Sequence, residues 1–261
     1  MMTAGLSGKT ALVTGAGKGL GRALVGGLVE AGIGKVVAIT RSQEDLDSLV
    51  KEYGSEKILP VQGDLGKENA GAVLDEALAQ VDDLHFLVNN AGMSIPQSLM
   101  DVTEEAWTEV MKVNSFAPLL CTQKAVKKML ATGDAEAVKQ KSIVNISSQA
   151  SLFALEDHTS YSMSKGALDL LTKTAALELG PHKIRCNAVN PTVIMTPMGR
   201  RVWGDPAKGG PMLTRIPLEQ FAEESDVVKP VLFLLDTTQS GMINGATLPI
   251  EGGMVAVCKM K

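Results

Sequence analysis

Thr10-Ala11-Leu12-Val13-Thr14-Gly15-Ala16-Gly17-Lys18-Gly19-Leu20-Gly21 is the stretch on which the reading of this chain turns. A short apolar run ends in closely spaced glycines and opens an apolar-periodic segment from Gly21 to Ala31, the order of a strand, a tight turn and a helix. Glycines let backbone N–H groups approach a pyrophosphate held at the helix N-terminus. The spacing is G-x-x-x-G-x-G through Gly15, Gly19 and Gly21; a strict G-x-G-x-x-G fails, because its last position falls on Leu20 or Arg22. A triphosphate-binding loop fails as well, since Lys18 is followed by Gly19 where a Ser or Thr must hold magnesium.

Outward from this loop the same alternation continues. Strand-like runs occur at Val36-Val37-Ala38-Ile39, Ile58-Leu59-Pro60-Val61, Phe86-Leu87-Val88, Ile143-Val144-Asn145-Ile146, Ala188-Val189 and Leu248-Pro249-Ile250. Most lack polar alternation, which predicts strands covered on both faces. Helix-periodic segments lie between them at 44–52, 70–79, 104–130, 160–179 and 226–235. The order predicts one α/β domain over 1–261: a Rossmann-type, doubly wound parallel sheet of about seven strands flanked by helices. The one long stretch without clear periodicity, 195–218, is rich in Gly, Pro and Arg and reads as a substrate lid.

Composition excludes several function classes. The 261 residues are 45% hydrophobic and 21% charged, enough for a large core and no mark of disorder. A net charge of -4 without a dense Lys/Arg patch argues against nucleic acid or an anionic membrane as partner and for a small-molecule ligand. Three scattered cysteines, Cys121, Cys186 and Cys258, form neither a disulfide framework nor a metal site and point to a reducing compartment. Met1 to Lys9 has no apolar core of a signal peptide and no run is long enough to span a bilayer, so the expectation is a cytoplasmic protein.

The end of the second strand reads Thr40-Arg41-Ser42, where an acidic residue would bind a ribose 2′-hydroxyl. A guanidinium stands there instead and Lys18 reaches the same region, which suits a 2′-phosphate and favours NADP(H) over NAD(H). Tyr161 and Lys165 are spaced i, i+4 and share a helix face. An ammonium there favours the phenolate, so a lowered Tyr161 pKa is expected; moving it from about 10 to about 7 takes roughly 4 kcal/mol. Ser148 follows the strand 143–147, and Asn89-Asn90-Ala91-Gly92 follows Phe86-Leu87-Val88, so both should border the crevice at the carboxyl ends of the strands. Pro118 lacks an N–H, which in a regular helix leaves the Asn114 carbonyl free to accept from water.

With the Asn190-Pro191 turn added, these motifs resemble the short-chain dehydrogenase/reductase family over nearly the whole chain. The resemblance implies that Tyr161 is the general acid, Ser148 orients the substrate carbonyl, Lys165 holds the nicotinamide ribose and Asn114 anchors a water. It implies cofactor contacts at Gly15, Lys18, Gly19, Leu20, Gly21, Thr40, Arg41, Ser42, Asp64, Leu65, Asn90, Ala91, Gly92, Tyr161, Lys165, Ile194 and Thr196. Thr192 stands where the family usually has glycine, so a differently shaped loop is expected. Several stretches, among them Asn190-Pro191-Thr192-Val193 and Leu248-Pro249-Ile250-Glu251-Gly252-Gly253, look closest to the dicarbonyl and ketose reductases of that family.

That narrower likeness implies NADPH-dependent reduction of α-dicarbonyls such as diacetyl and of L-xylulose to xylitol, and a homotetramer built on the 104–130 and 160–179 helices, which carry apolar residues on more than one face. Alternatives are the same chemistry on a 3-oxoacyl thioester, a polyol or a steroid, with Arg200, Arg201 and Arg215 as a basic patch, and a non-catalytic NADP-binding protein. Gln149, His158 and Trp203 lie near the reacting centre in sequence. His158 reads equally as a surface-loop histidine or a substrate contact, and Trp203, in the lid, as a ligand-facing ring. No metal site is expected, and His85 and His182 read as structural or solvated.

Overall fold

The computed structural model describes residues 5–131, 138 and 140–256; Cys258 and the first four residues of the N-terminal stretch lie outside them. Seven parallel strands form one sheet: β1 (Thr10–Thr14), β2 (Lys35–Thr40), β3 (Ile58–Gln62), β4 (Phe86–Asn89), β5 (Ser142–Ile146), β6 (Arg185–Pro191) and β7 (Thr247–Ile250). Their order is β3-β2-β1-β4-β5-β6-β7, so the winding reverses between β1 and β4 and opens a crevice at their carboxyl ends. The connecting helices are α1 (Gly19–Glu30), α2 (Gln43–Tyr53), α3 (Ala70–Ala79), α4 (Glu104–Met111), α5 (Ala117–Leu130) and α6 (Thr159–Leu179). After β6 come α7 (Pro197–Trp203), α8 (Pro206–Leu213), α9 (Glu224–Leu235) and α10 (Thr237–Ser240).

Alternation along single strands divides the core. Ala11 and Val13 of β1, with Phe86 and Val88 of β4, pack against Leu24 and Leu28 of α1 and Val227 and Val231 of α9. Leu12 and Leu87 point the other way, to Leu74 of α3, Cys121 and Met129 of α5 and Ala176 of α6. Every residue of β4, β5 and β6 is buried, which is why those runs showed no polar alternation. The two edge strands each contain a proline, Pro60 in β3 and Pro249 in β7, where a missing N–H is tolerated.

Two segments depart from the sequence reading. The expected helix 104–130 is two helices joined by a π-turn over Lys112–Phe116, in which the Ala117 N–H bonds the Lys112 carbonyl five residues back. The stretch 195–218 holds α7 and α8, whose interior Gly209, Gly210 and Pro211 hid any apolar period. Each starts on a capping side chain followed by proline, Thr196-Pro197 and Asp205-Pro206, a start signal that the sequence does carry.

Leu170 and Leu177 of α6 are 65% and 78% exposed, and Phe116 at the head of α5 is 55% exposed. A groove of about 580 Å³ runs between these helices, lined by Trp107, Met111, Phe116, Leu119, Ala167 and Leu171. No described helix is long and apolar enough to cross a membrane.

Beneath the sheet, at its amino end, His85 accepts from the Thr10 N–H through Nδ1 at 3.2 Å and pins the start of β1. The neighbouring Lys141 ammonium is fully buried between the Asp83 carboxylate and the Met129 carbonyl. Removing the carboxylate strands that cation, whereas Asp83 itself keeps some contact with water. Asp83→Asn is therefore expected to lower stability by about 2–3 kcal/mol, read as a lower urea midpoint at unchanged m. A midpoint equal to wild type would show that the pair contributes nothing net.

Candidate active site

The glycine loop leaves β1 and turns through left-handed backbone at Gly15 (φ 64) and Gly19 (φ 50). There is no room for side chains: a Cβ on Gly21 would stand 2.0 Å from the Gly15 carbonyl, and one on Gly15 2.9 Å from the Ala91 Cα. Thr14 and Asn90 lock the loop to the end of β4. Thr14 Oγ1 accepts from the Asn90 and Ala91 N–H groups at 3.0 Å each, and Asn90 Nδ2 donates to the Thr14 and Gly15 carbonyls at 2.9 and 3.1 Å. Asn89 does not border the crevice as expected. It is buried, and its Nδ2 donates to Asn145 Oδ1 at 2.8 Å, while Asn145 Nδ2 donates to Thr172 Oγ1 at 2.8 Å.

The first turn of α1 has neither a side-chain cap nor an acidic residue, which leaves its N–H groups and its positive end for an anion. Beside it lies a cleft of about 490 Å³ lined by Gly15, Lys18, Leu20, Gly21, Thr40, Arg41, Ser42, Asp64, Leu65, Asn90, Ala91 and Gly92. Gly19 is not on that wall; it faces the Thr196 side chain, which a Cβ would meet at 3.2 Å. A cradle that a methyl group would fill, at an uncapped helix start, fits a dinucleotide. Arg41 is exposed at its far end, and Ser42 caps α2 by accepting from the Asp45 N–H at 3.2 Å.

One residue there escaped the sequence reading. Asp45 lines the same cleft and holds Lys18 at 3.5 Å. The triplet Thr40-Arg41-Ser42 has no carboxylate, but the first turn of α2 supplies one. Its signal was its place three residues after the capping Ser42.

A second cavity of about 450 Å³ shares Asn90, Gly92, Met93 and Met198 with the first and continues it. Its walls include Ser148, Gln149, His158, Tyr161, Lys165, Thr192, Ile194, Thr196 and Trp203. Ser148 caps the turn after β5 by accepting from the Ala150 N–H at 3.1 Å and hydrogen-bonds the Tyr161 phenol. Burial pushes the Tyr161 phenol above its ordinary value, with the Ser148 hydrogen bond as the opposing influence. This reverses the expected direction. The Lys165 ammonium lies 5.7 Å from the ring centroid and donates to the Ile146 carbonyl at 2.8 Å, and burial lowers it to about 8. Desolvation therefore outweighs the Ser148 hydrogen bond, and the Tyr161 phenol is neutral near pH 7.

Asn114 is fully buried and lines neither cavity. Its Oδ1 accepts from the Met93 N–H at 2.8 Å, and its Nδ2 donates to the Met93 carbonyl at 2.8 Å and to Ser164 Oγ at 3.0 Å. The side chain thus clamps the loop after β4 onto α6. The π-turn amends the argument from Pro118: the residue without an N–H now faces the Val113 carbonyl in the five-residue register and the Asn114 carbonyl in the four-residue one.

His158 is half-buried, 6.1 Å from the Tyr161 ring, and its Nδ1 donates to the Glu156 carbonyl at 2.6 Å, which leaves Nε2 as an acceptor. Trp203 faces the cavity and also packs on Phe221 at 6.2 Å. Thr192 needs no positive φ: its N–H donates to the Ile250 carbonyl at 2.9 Å, prolonging the β6 edge, so the glycine replacement leaves the loop unstrained. The buried Gln149 Oε1 and Thr192 Oγ1 have no hydrogen-bond partner among the described residues. No described cluster of His, Cys, Asp or Glu could hold a metal ion.

The model of the short chain dehydrogenase family matches residues 9–207. The chain is 51% identical over 255 residues to the L-xylulose reductase of Mus musculus, covering 98% of this chain and 100% of that one. It is 41% identical to carbonyl reductase [NADPH] 2 of Sus scrofa, again over 98% and 100% of the two chains. A Beutenbergia cavernae protein assigned as an NAD(P)-dependent gluconate 5-dehydrogenase, with NADP bound at low occupancy, superposes with a TM-score of 0.86 at 30% identity over 97% of this chain and 98% of that one. With the glycine cradle, the continuous cleft and the Ser148-Tyr161-Lys165 grouping at its end, the chain belongs to the short-chain dehydrogenase/reductase family and is an oxidoreductase acting on C=O and CH–OH groups.

Proposed function

We propose that this protein is an NADPH-dependent reductase of small carbonyl compounds, α-dicarbonyls such as diacetyl and the ketose L-xylulose, which it converts to xylitol. The observation that carries the reading is a neutral, buried Tyr161 phenol bonded to Ser148 where the nucleotide cleft opens into a second cavity. Its likeness to an L-xylulose reductase and to a carbonyl reductase supports the substrate class.

NADPH, which the glycine loop, Lys18 and Arg41 would hold, would supply the hydride. Ser148 donates to the substrate carbonyl oxygen and orients it, and Tyr161 gives that oxygen its proton as the alkoxide develops. A raised Tyr161 pKa suits this direction, because the phenol carries its proton throughout the neutral range. Lys165, charged below about pH 8, would hold the nicotinamide ribose. The Asn114 carbonyl accepts from the water that returns a proton toward Lys165. Gln149 Oε1, Thr192 Oγ1 and His158 Nε2 are acceptors for hydroxyls of a sugar substrate, and Trp203, on a lid spanning 195–218, covers it. The thioester alternative loses part of its basic patch, since Arg200 is held by Glu223 at 2.6 Å.

Arg41 and Lys18 would hold the adenosine 2′-phosphate. Because Asp45 already engages Lys18, Arg41 carries most of that preference. The exposed groove between α4, α5 and α6 is the contact of a homotetramer. The free, buried Cys121 and Cys186 suit the cytoplasm.

Tyr161→Phe is expected to lower kcat for diacetyl and L-xylulose by about 10²- to 10⁴-fold with NADPH affinity unchanged; a variant keeping half the wild-type rate removes Tyr161 as proton donor. Arg41→Asp should shift the ratio of kcat/KM for NADPH over NADH toward NADH. The charge-assisted contact it removes is worth about 1.5–3 kcal/mol, roughly 10- to 150-fold. A wild type that already prefers NADH would contradict the 2′-phosphate reading. Phe116→Glu combined with Leu170→Glu should elute from gel filtration as a species smaller than wild type, and unchanged elution would assign the groove to something other than a second copy.

A further inference from the structure

Asp169 lies four residues beyond Lys165 on α6, facing the same way, and is 8% exposed. Its Oδ2 accepts from Asn190 Nδ2 at 2.9 Å, and its Oδ1 is buried without a hydrogen-bond partner among the described residues. A carboxylate buried with one neutral hydrogen bond is costly unless a cation stands near, and the cation near it is Lys165. The same Asn190 amide reaches the Ser148 carbonyl at 3.3 Å and Ser151 Oγ at 2.8 Å, while Ser151 Oγ donates to the Ser148 carbonyl at 2.7 Å. One side chain is therefore joined to both halves of the reacting group, to Lys165 through charge and to the Ser148 turn through Asn190.

We propose that Asp169 is a positioning residue for carbonyl reduction, holding the Lys165 ammonium in its charged form and fixing, through Asn190, the turn that aims Ser148. This rests on the reductase reading above. Among the described residues, the other titratable group facing Lys165 is Tyr161, on the same helix. The elements packed against them present neutral groups: the Ile146 carbonyl from β5, Gly92 from the crevice wall, the buried Asn114 behind it, Ser148 and Ser151 from the turn, and Asn190 from β6. Asp169 is thus the influence that opposes desolvation of Lys165. The sign follows: without the carboxylate the ammonium loses its proton at lower pH.

The test compares wild type with Asp169→Asn, which keeps an acceptor for Asn190 and removes only the charge. In wild type, kcat/KM for diacetyl is expected to be flat at acid pH and to fall as Lys165 deprotonates above about pH 8. In the variant that limb should move about one unit toward acid. NADPH affinity, titrated by the quenching of protein fluorescence, should equal wild type at pH 6 and be several-fold weaker at pH 8. Asn190→Ala should lower kcat with the limb still at its wild-type pH, separating the two routes. If Asp169→Asn fails to fold, Asp169→Glu takes its place, with a wild-type limb and a reduced kcat expected. A wild-type limb and pH-independent affinity in Asp169→Asn, or an acid-shifted limb in Asp169→Glu, overturn the role of Asp169. A wild type that neither binds NADPH nor reduces diacetyl overturns the reductase reading itself, and this proposal with it.

Discussion

Covering both faces of a parallel sheet with helices leaves a chain few places to put polar chemistry. Backbone N–H and C=O groups within the sheet are satisfied by the ladder, and apolar side chains fill the layers above and below, so free polar groups collect where the strands end. In this molecule the reversal of strand order between β1 and β4 separates two connections at one such end, and everything argued about function happens there. The glycine loop, the Asn90 to Gly92 segment, the turn carrying Ser148 and the Pro191-Thr192 edge leave four strands at the same level.

A cluster of buried amides and hydroxyls behind the crevice holds these segments in register. Asn89, Asn145 and Thr172 tie β4, β5 and α6 together across the sheet, and Asn190 ties β6 to α6 and to the Ser148 turn. Such groups are costly to bury unless paired, and once paired they hold one arrangement against sliding. They sit directly beneath the residues that line the second cavity, so polar contacts hold the cavity in shape and apolar packing holds the rest of the domain.

How far the chain could be read without coordinates follows from the range of each signal. Strands β1 to β7 and helices α1 to α3, α6 and α9 announced themselves through local period and composition, the period over 104–130 covered α4 and α5 without showing the turn between them, and most crevice residues were marked by their place just after strands. Contacts made across the fold carried no such mark. Asp45 meets Lys18 only because α2 returns beside the glycine loop, and Asp169 meets Asn190 at a separation of 21 residues. The direction of the Tyr161 shift was misjudged for the same reason: an i, i+4 spacing tells which side chains are neighbours but not how much water has been removed from around them. The short helices α7 and α8 lacked an apolar period, although their Thr-Pro and Asp-Pro starts were visible.

The π-turn at Lys112–Phe116 also sets the rotational phase of everything after it. A regular helix advances about 100° per residue, so the extra residue accommodated there decides which side of α5 meets the sheet. Cys121, Ala125 and Met129 face inward in the present phase. A chain that kept every residue but closed the turn into regular helix would rotate α5 by about 100°, swinging that inward stripe toward solvent and carrying Lys124, Lys127 and Lys128 toward the core. The irregularity beside the crevice is therefore protected by the apolar stripe downstream of it, and closing the turn would be opposed by residues that never approach the site.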